Sequence, residues 1–278
     1  MTDVYQHTAA LPQTVTDAAT ELLPLLRNFD TGRFALTLSG SMSKSTSDAL
    51  SDVDFRFYSD NRRPDPGPAW ERDWDRLRLR WQERGVTLDE VWFRTVSEVD
   101  LTIDQWLAGV VVPDEMIWTI WGYHPLTDLS RQLAVVDADA LVERWRGRLT
   151  TYPSAVRDAT IRRHLTPLRY WRGDYHYENK ATRGDFVFLA GLTATLVHHL
   201  IQVTAALNGK YFPGDGNNLV LAAQFDIAPF NFPARIEEIL YPTGGADGVV
   251  EQRRKLVALF DEVEVLLGHS FPDESWQS

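Results

Sequence analysis

Cysteine is absent from all 278 residues, which excludes disulfides and thiolate-held zinc. A cytoplasmic setting is the simplest expectation. Positive charge is scarce as well, with 28 Lys and Arg against 39 Asp and Glu and a net charge of −11. That balance opposes a long phosphate-tracking surface, so nucleic acid is not expected as a partner. A local basic set at Arg157, Arg162, Arg163, Arg169 and Arg172 runs against this trend. The opening stretch MTDVYQHTAALPQ lacks a basic segment followed by an apolar one, so no secretory signal is expected. The longest apolar run, Phe186 to Val203, is interrupted by His198, His199 and Gln202 and reads as a buried helix; no membrane partner is expected. There is no phosphate-loop Gly-Lys-Ser/Thr, no nucleophile elbow, no internal repeat and no low-complexity tract. What is present, 44% hydrophobic and 12% aromatic residues, is a folding composition long enough for two domains.

Periodicity divides the chain into a mixed first part and a helical second part. Thr14 to Asn28 carries apolar residues at helical spacing, with Pro24 near its end. Two short apolar strands follow, then the breaker-rich loop Asn61 to Pro68. A helix from Ala69 to Glu83 places Trp70, Trp74 and Trp81 toward a core, and Gly85 stops it. Val86 to Thr95 (VTLDEVWFRT) reads as a third strand, Ser97 to Leu107 as a helix, and Pro113 to Trp121 as another with proline in its first turn. Gly122 to Asp128 reads as a turn with a short edge strand. From about Ala138 onward helices are expected over 139–149, 154–172, 185–207, 233–241 and 249–267. The fold class is therefore α/β (α+β): a small mixed sheet flanked by helices over residues 1–136, then an all-α helical bundle over 137–278.

Chemistry concentrates between Leu36 and Tyr58. An apolar strand ends at Ser39-Gly40-Ser41, where glycine lets backbone approach a ligand closely. A second strand begins Ser51-Asp52-Val53-Asp54-Phe55. Side chains two apart share a strand face, so Asp52 and Asp54 point together while Val53 and Phe55 enter the core. Adjacent carboxylates repel one another, and a hard divalent cation such as Mg²⁺ relieves that repulsion. A third carboxylate is available from VTLDEVWFRT. Asp89 and Glu90 face opposite ways in a regular strand, so only one reaches the metals, and a bulge would change which.

Gly40-Ser41 followed by Ser51-Asp52-Val53-Asp54 resembles the signature of the DNA polymerase β-type nucleotidyltransferase superfamily. Within it the chain is most similar to the bacterial antibiotic adenylyltransferases of the aminoglycoside and streptomycin type, and to related uncharacterised nucleotidyltransferase-like proteins. The resemblance implies an N-terminal nucleotidyltransferase domain and a helical acceptor-binding domain. It implies ATP as donor, two Mg²⁺ held by Asp52, Asp54 and a third acid, and transfer of AMP to a hydroxyl of a small polar acceptor. An aminoglycoside-like acceptor, and with it antibiotic resistance, is the first expectation. Gly40 and Ser41 then contact the triphosphate. Glu90-Val91-Trp92-Phe93 is similar to the strand bearing the catalytic glutamate of the streptomycin-type enzymes, which favours Glu90 over Asp89 as base. Arg183-Gly184-Asp185 and Asn208-Gly209-Lys210 are similar to the Gly-Asp … Gly-Lys pair of the second domain, placing Asp185 near acceptor and Lys210 near triphosphate. Arg183 either binds phosphate or pairs with Glu178. The chain departs from those relatives at Asp215-Gly216-Asn217, where they continue into a lysine.

Simpler roles compete at each position. Asp185 also suits a helix N-cap, and Lys210 a solvated loop. His198 and His199 have no His or carboxylate at i+3 or i+4, so packing rather than metal binding is expected of them. Nucleotidylation of a protein or RNA end, and a non-catalytic nucleotide-binding module, are the alternative functions.

Overall fold

The computed structural model describes residues 11–28, 32–43, 47–48, 51–62, 67–113 and 116–271. Most of the segment joining Ser43 to Ser51 and the middle of the 61–68 loop lie outside the described residues.

Alternation builds the sheet. Leu36 and Leu38 on β1 (Phe34–Leu38) and Phe55 and Phe57 on β2 (Phe55–Ser59) face one way and are fully buried. Against them pack Val15, Ala18, Leu22 and Leu26 of α1 (Gln13–Leu26) and Trp74, Leu77 and Trp81 of α3 (Gly67–Glu83). Between β1 and β2 lies the single turn α2 (Gly40–Ser43). The sheet is completed by β3 (Trp92–Thr95) and β4 (Leu133–Val136) in the order β3-β2-β1-β4. β2 and β3 run parallel and the other pairs antiparallel, so the sheet is mixed.

The other face of the sheet is buried too, but polar. Thr37 Oγ1 and Tyr58 OH both donate to Gln132 Oε1 at 2.9 Å. Tyr58 also meets the fully buried ring of Trp145 edge-on at 4.9 Å. Gln132 follows α5 (Pro125–Arg131) and Trp145 sits on α6 (Leu141–Leu149). Asp137 starts α6 by accepting the amides of Leu141 (2.7 Å) and Val142 (3.0 Å). Asp100 of α4 (Val96–Leu107) accepts from Arg144 at 2.9 Å and from Trp145 Nε1 at 2.8 Å.

The chain divides into two compact units, residues 1–105 with 125–151, and 106–124 with 152–278. The expected junction at 136/137 falls inside the first unit, because α6 is tied to the sheet through Trp145 and Tyr58. The second unit is helical: α7 (Ser154–Gly173), α8 (Tyr175–Arg183), α9 (Phe186–Leu207), α10 (Asn218–Ala222), α11 (Phe232–Leu240) and α12 (Gly245–Leu267). Its core is formed by Ile161, Leu165 and Leu168 of α7, Leu196 and Leu200 of α9 and Leu259 and Phe260 of α12. By length and composition alone α9 also suffices to cross a membrane; half of its most apolar window is buried in this unit.

Three expectations are corrected. The described residues of 113–121 form turns, not a helix: the Asp215 carboxylate takes the amides of Ile120 (2.6 Å) and Trp121 (2.9 Å), and Thr119 turns back on Met116. Residues 125–131 are helical, and the edge strand lies later, at Leu133–Val136. The regular part of the third strand is Trp92–Thr95, shorter than the expected 86–95.

Candidate functional site

Gly40 and Asp54 meet where β1 ends and β2 begins. Ser39 N donates to the carbonyl of Asp54 at 2.9 Å, extending the β1–β2 ladder by one rung. Gly40 follows with φ +62°, a left-handed conformation that favours glycine. A Cβ at this position would stand 1.7 Å from Asp54 Oδ2, so the carboxylate rests directly on the glycine backbone. Ser41 is half-buried in the α2 turn, and Ser43 Oγ closes that turn onto the Gly40 carbonyl at 3.0 Å. The Ser39 hydroxyl is fully buried and has no hydrogen-bond partner among the described residues.

Asp52 and Asp54 share a face, as alternation requires. Between them Val53 bridges Leu88, and both enter the core. Val53 N donates to Thr87 O at 2.8 Å and Asp89 N to Val53 O at 3.2 Å. Asp89 therefore lies on the face of Asp52 and Asp54. The next step departs from regularity. Val53 pairs with Leu88, yet Arg56 pairs with Trp92, so four residues of one chain oppose three of the other. The extra residue resets the alternation, and Val91 and Phe93 join the core side. Glu90 is left in a groove beside α3, with Trp70, Trp74 and Arg78. Glu90 does not join the aspartates, because Leu88 faces the core and its neighbour Asp89 takes their side; Asp89 is the acid that faces them.

The electrostatics agree with that placement. The Asp54 side chain is only 16% exposed, and its pKa is pushed up from 3.8 to about 6. Burial is the largest cause; Arg56 opposes it, and Asp52, Asp89 and Asp128 add to the rise. Arg56, two residues along the same strand face, is nearly buried. Its guanidinium lies 3.5 Å from Asp54 Oδ1, 3.3 Å from Asp128 Oδ2 and 4.8 Å from the centroid of the Trp92 ring. Sequence reading did not single out Arg56 or Asp128. The signal for Arg56 was available in the continued alternation Asp52, Asp54, Arg56, Tyr58. Asp128 comes from a helix 72 residues away in sequence from Arg56, and no local pattern points to it.

Asp52, Asp54 and Asp89 offer the hard oxygen donors that Mg²⁺ prefers. Burial is the main reason the pKa of Asp54 is raised, with Asp52, Asp89 and Asp128 adding to it against Arg56, and a bound cation would favour the charged form that burial penalises. The ligand atoms are not already gathered. Among the described residues, the one trio whose ligand atoms all lie within 4.8 Å of one another is His164, His198 and His199 in the second unit.

Arg183, Asp185 and Lys210 also belong to the second unit. Asp185 leads into α9 and pairs with Lys180 at 2.5 Å, which holds its carboxyl below the usual range. Lys210 follows the other end of the helix, its amide donating to Ala205 O at 2.9 Å. The 22 residues of α9 separate the two by about 30 Å. One small-molecule site therefore meets at most one of them. Arg183 is exposed in the last turn of α8, and Glu178, its suggested partner, lies 4.0 Å from Arg253 instead. Asp215, in the segment that departs from the family pattern, has a structural task in holding the 120–121 amides.

Comparison with known proteins adds a partial match. A family model described as a domain of unknown function (DUF4037) matches residues 123–216. That segment contains Arg183, Asp185 and Lys210 but neither Gly40 nor the acidic strand. No curated protein matches the chain. Among solved structures, a nucleotidyltransferase-like protein from Exiguobacterium sibiricum 255-15 is similar at 9% identity, covering 94% of this chain and 81% of that one with a TM-score of 0.47. So loose a superposition carries no inference about the site.

Proposed function

We propose that the chain is a nucleotidyltransferase that uses Mg²⁺ and moves a nucleoside monophosphate, AMP from ATP, to a hydroxyl of a small polar acceptor. The observation that carries this reading is the Asp54 carboxylate resting on Gly40, its pKa raised by burial first and by Asp52 and Asp89 after it. Such a face is unfavourable for an apo protein to maintain and favourable for one that receives a cation.

Asp52, Asp54 and Asp89 are the residues that would hold Mg²⁺. When bound, the ion supplies charge neutralisation at the triphosphate and the α-phosphorus. Gly40 contributes by having no side chain, which lets phosphate oxygens approach the backbone beside Asp54. Asp89, which is exposed, would accept the proton of the acceptor hydroxyl. The hydroxyl oxygen bonds to the α-phosphorus, the bond from that phosphorus to the β-bridging oxygen breaks, and pyrophosphate leaves. An acidic surface suits a cationic acceptor such as an amino sugar.

Incubation with ATP labelled at the α-phosphate, Mg²⁺ and a panel of hydroxylated acceptors, aminoglycosides included, tests the reading. Label should enter a small molecule with release of pyrophosphate, and the rate should fall about 10²-fold or more in Asp54→Asn. Label entering protein or RNA would redirect the acceptor class. Arg56 favours one other reading, because a guanidinium 3.5 Å from Asp54 supplies part of the counter-charge without a metal. A non-catalytic nucleotide-binding module would bind Mg·ATP and release no pyrophosphate.

A further inference from the structure

Four histidines converge in the second unit, where the chain spacing suggested only packing. His164 on α7 meets His198 and His199 on α9, and His124 stands close by. His164 and His198 are buried and His199 is half-buried. His164 Nδ1 and His199 Nδ1 lie 2.8 Å apart, so the two rings share a single proton between facing nitrogens. His198 Nδ1 is buried and has no hydrogen-bond partner among the described residues. An orphaned ring nitrogen in an apolar core is costly unless something occupies its lone pair.

We infer that His164, His198 and His199 form a binding site for one transition-metal cation of the Zn²⁺ class. The donors are three imidazoles with no carboxylate among them, a set suited to Zn²⁺, Cu or Ni²⁺ and unsuited to Mg²⁺ or Ca²⁺. Their ligand atoms already lie within 4.8 Å of one another. Metal–nitrogen bonds of about 2.0–2.1 Å in a tetrahedron place ligand nitrogens about 3.3 Å apart. Entry of the ion therefore asks His164 and His199 to part by about half an ångström and give up the proton they share. Burial keeps all three imidazoles neutral, the state that ligates.

The surroundings hold the rings in place. The Trp121 ring stacks on His198 at 4.1 Å and 7°, and Phe212 meets it edge-on at 5.1 Å. His124 is not a ligand in this scheme. Its Nε2 faces the Gln202 amide nitrogen at 3.3 Å and must accept from it, since an amide NH₂ only donates. Arg163, whose guanidinium donates to Val111 O at 3.0 Å, is a positive charge that acts on all three histidines. A cationic neighbour suits an anion, hydroxide or chloride, as the fourth ligand.

The untagged full chain, stripped of metal by chelator dialysis, is titrated with Zn²⁺ by calorimetry and with Co²⁺ by absorption. The expected result is one equivalent of Zn²⁺ and the intense visible bands of four-coordinate Co²⁺. Affinity should fall at least about 100-fold in His199→Gln. It should stay unchanged in His176→Gln, an exposed histidine outside the cluster. Should His199→Gln fail to fold, histidine acylation mapped on the wild-type chain decides: Zn²⁺ must protect His199, the half-buried member of the three, and leave the exposed His176 reactive. Binding of less than about a tenth of an equivalent, wild-type affinity in folded His199→Gln, or acylation that ignores Zn²⁺ would each overturn the proposal.

Discussion

Replacing Asp54 by asparagine should make the protein more stable while removing its proposed activity. The side chain is nearly buried, and folding lifts its pKa from 3.8 to about 6. Below pH 3.8 both folded and unfolded chains hold the proton, and the site's full contribution to stability is present. As pH rises toward 6 the unfolded chain ionises first, so stability falls, and above 6 the loss is complete at about 3 kcal/mol. Asparagine, isosteric with the protonated acid, carries no such loss. Urea denaturation of wild type and Asp54→Asn between pH 4 and pH 8 reads the difference. The two curves should nearly coincide at about pH 4, with the variant ahead by about 1 M in midpoint at about pH 8 for an ordinary denaturant slope. Mg²⁺ at ten times its dissociation constant should return about 1.4 kcal/mol to wild type and nothing to the variant. Parallel pH curves, or a variant less stable than wild type at pH 8, would refute the account of Asp54 as a destabilising acid kept for a ligand.

Gly40→Ala combines a left-handed φ, worth about 1–2 kcal/mol, with a Cβ driven onto the Asp54 carboxylate, and should cost about 2–4 kcal/mol in all. In an Asp54→Ala background the nearest clashing atoms are gone, so the same substitution should cost only about 1–2 kcal/mol; additive losses would show that the two residues do not touch. Turnover should fall about 10²-fold or more in Asp89→Asn and stay near wild type in Glu90→Gln, and the reverse order would restore Glu90 as the base. Trp145→Ala should destabilise the first unit by about 3–5 kcal/mol, read by thermal denaturation, because it empties a fully buried site and strips Asp100 of a donor. A loss under about 1 kcal/mol would show that α6 is not needed to cover the sheet.

Local chemistry made most of the fold legible. α1, α3, α4 and the long helices of the second unit follow apolar periodicity and simple stops, and their observed bounds lie within a few residues of expectation. β1 and β2 follow alternation, which also fixed the shared face of Asp52 and Asp54. What the sequence hid is non-local. The side taken by Asp89, and the bulge that brings Val91 and Phe93 to the core, depend on Leu88 pairing with Val53 and Trp92 with Arg56, a register no single segment encodes. Residues 113–121 have helix-like composition, yet their amides are taken by Asp215, almost a hundred residues later. α8 was not among the expected helices; Asp174 caps it through the amide of His176. The histidine cluster is non-local too. Spacing along α9 offers no partner, because the partner, His164, stands on α7.

Crystals soaked with Mn²⁺ and a non-hydrolysable ATP analogue test the central claim most directly, since Mn²⁺ stands in for Mg²⁺ and scatters anomalously. The account predicts an anomalous peak within bonding distance of Asp52 and Asp54, with the phosphates against Gly40 and Glu90 uninvolved. A peak held elsewhere, or a nucleotide bound with both aspartates untouched, would contradict it.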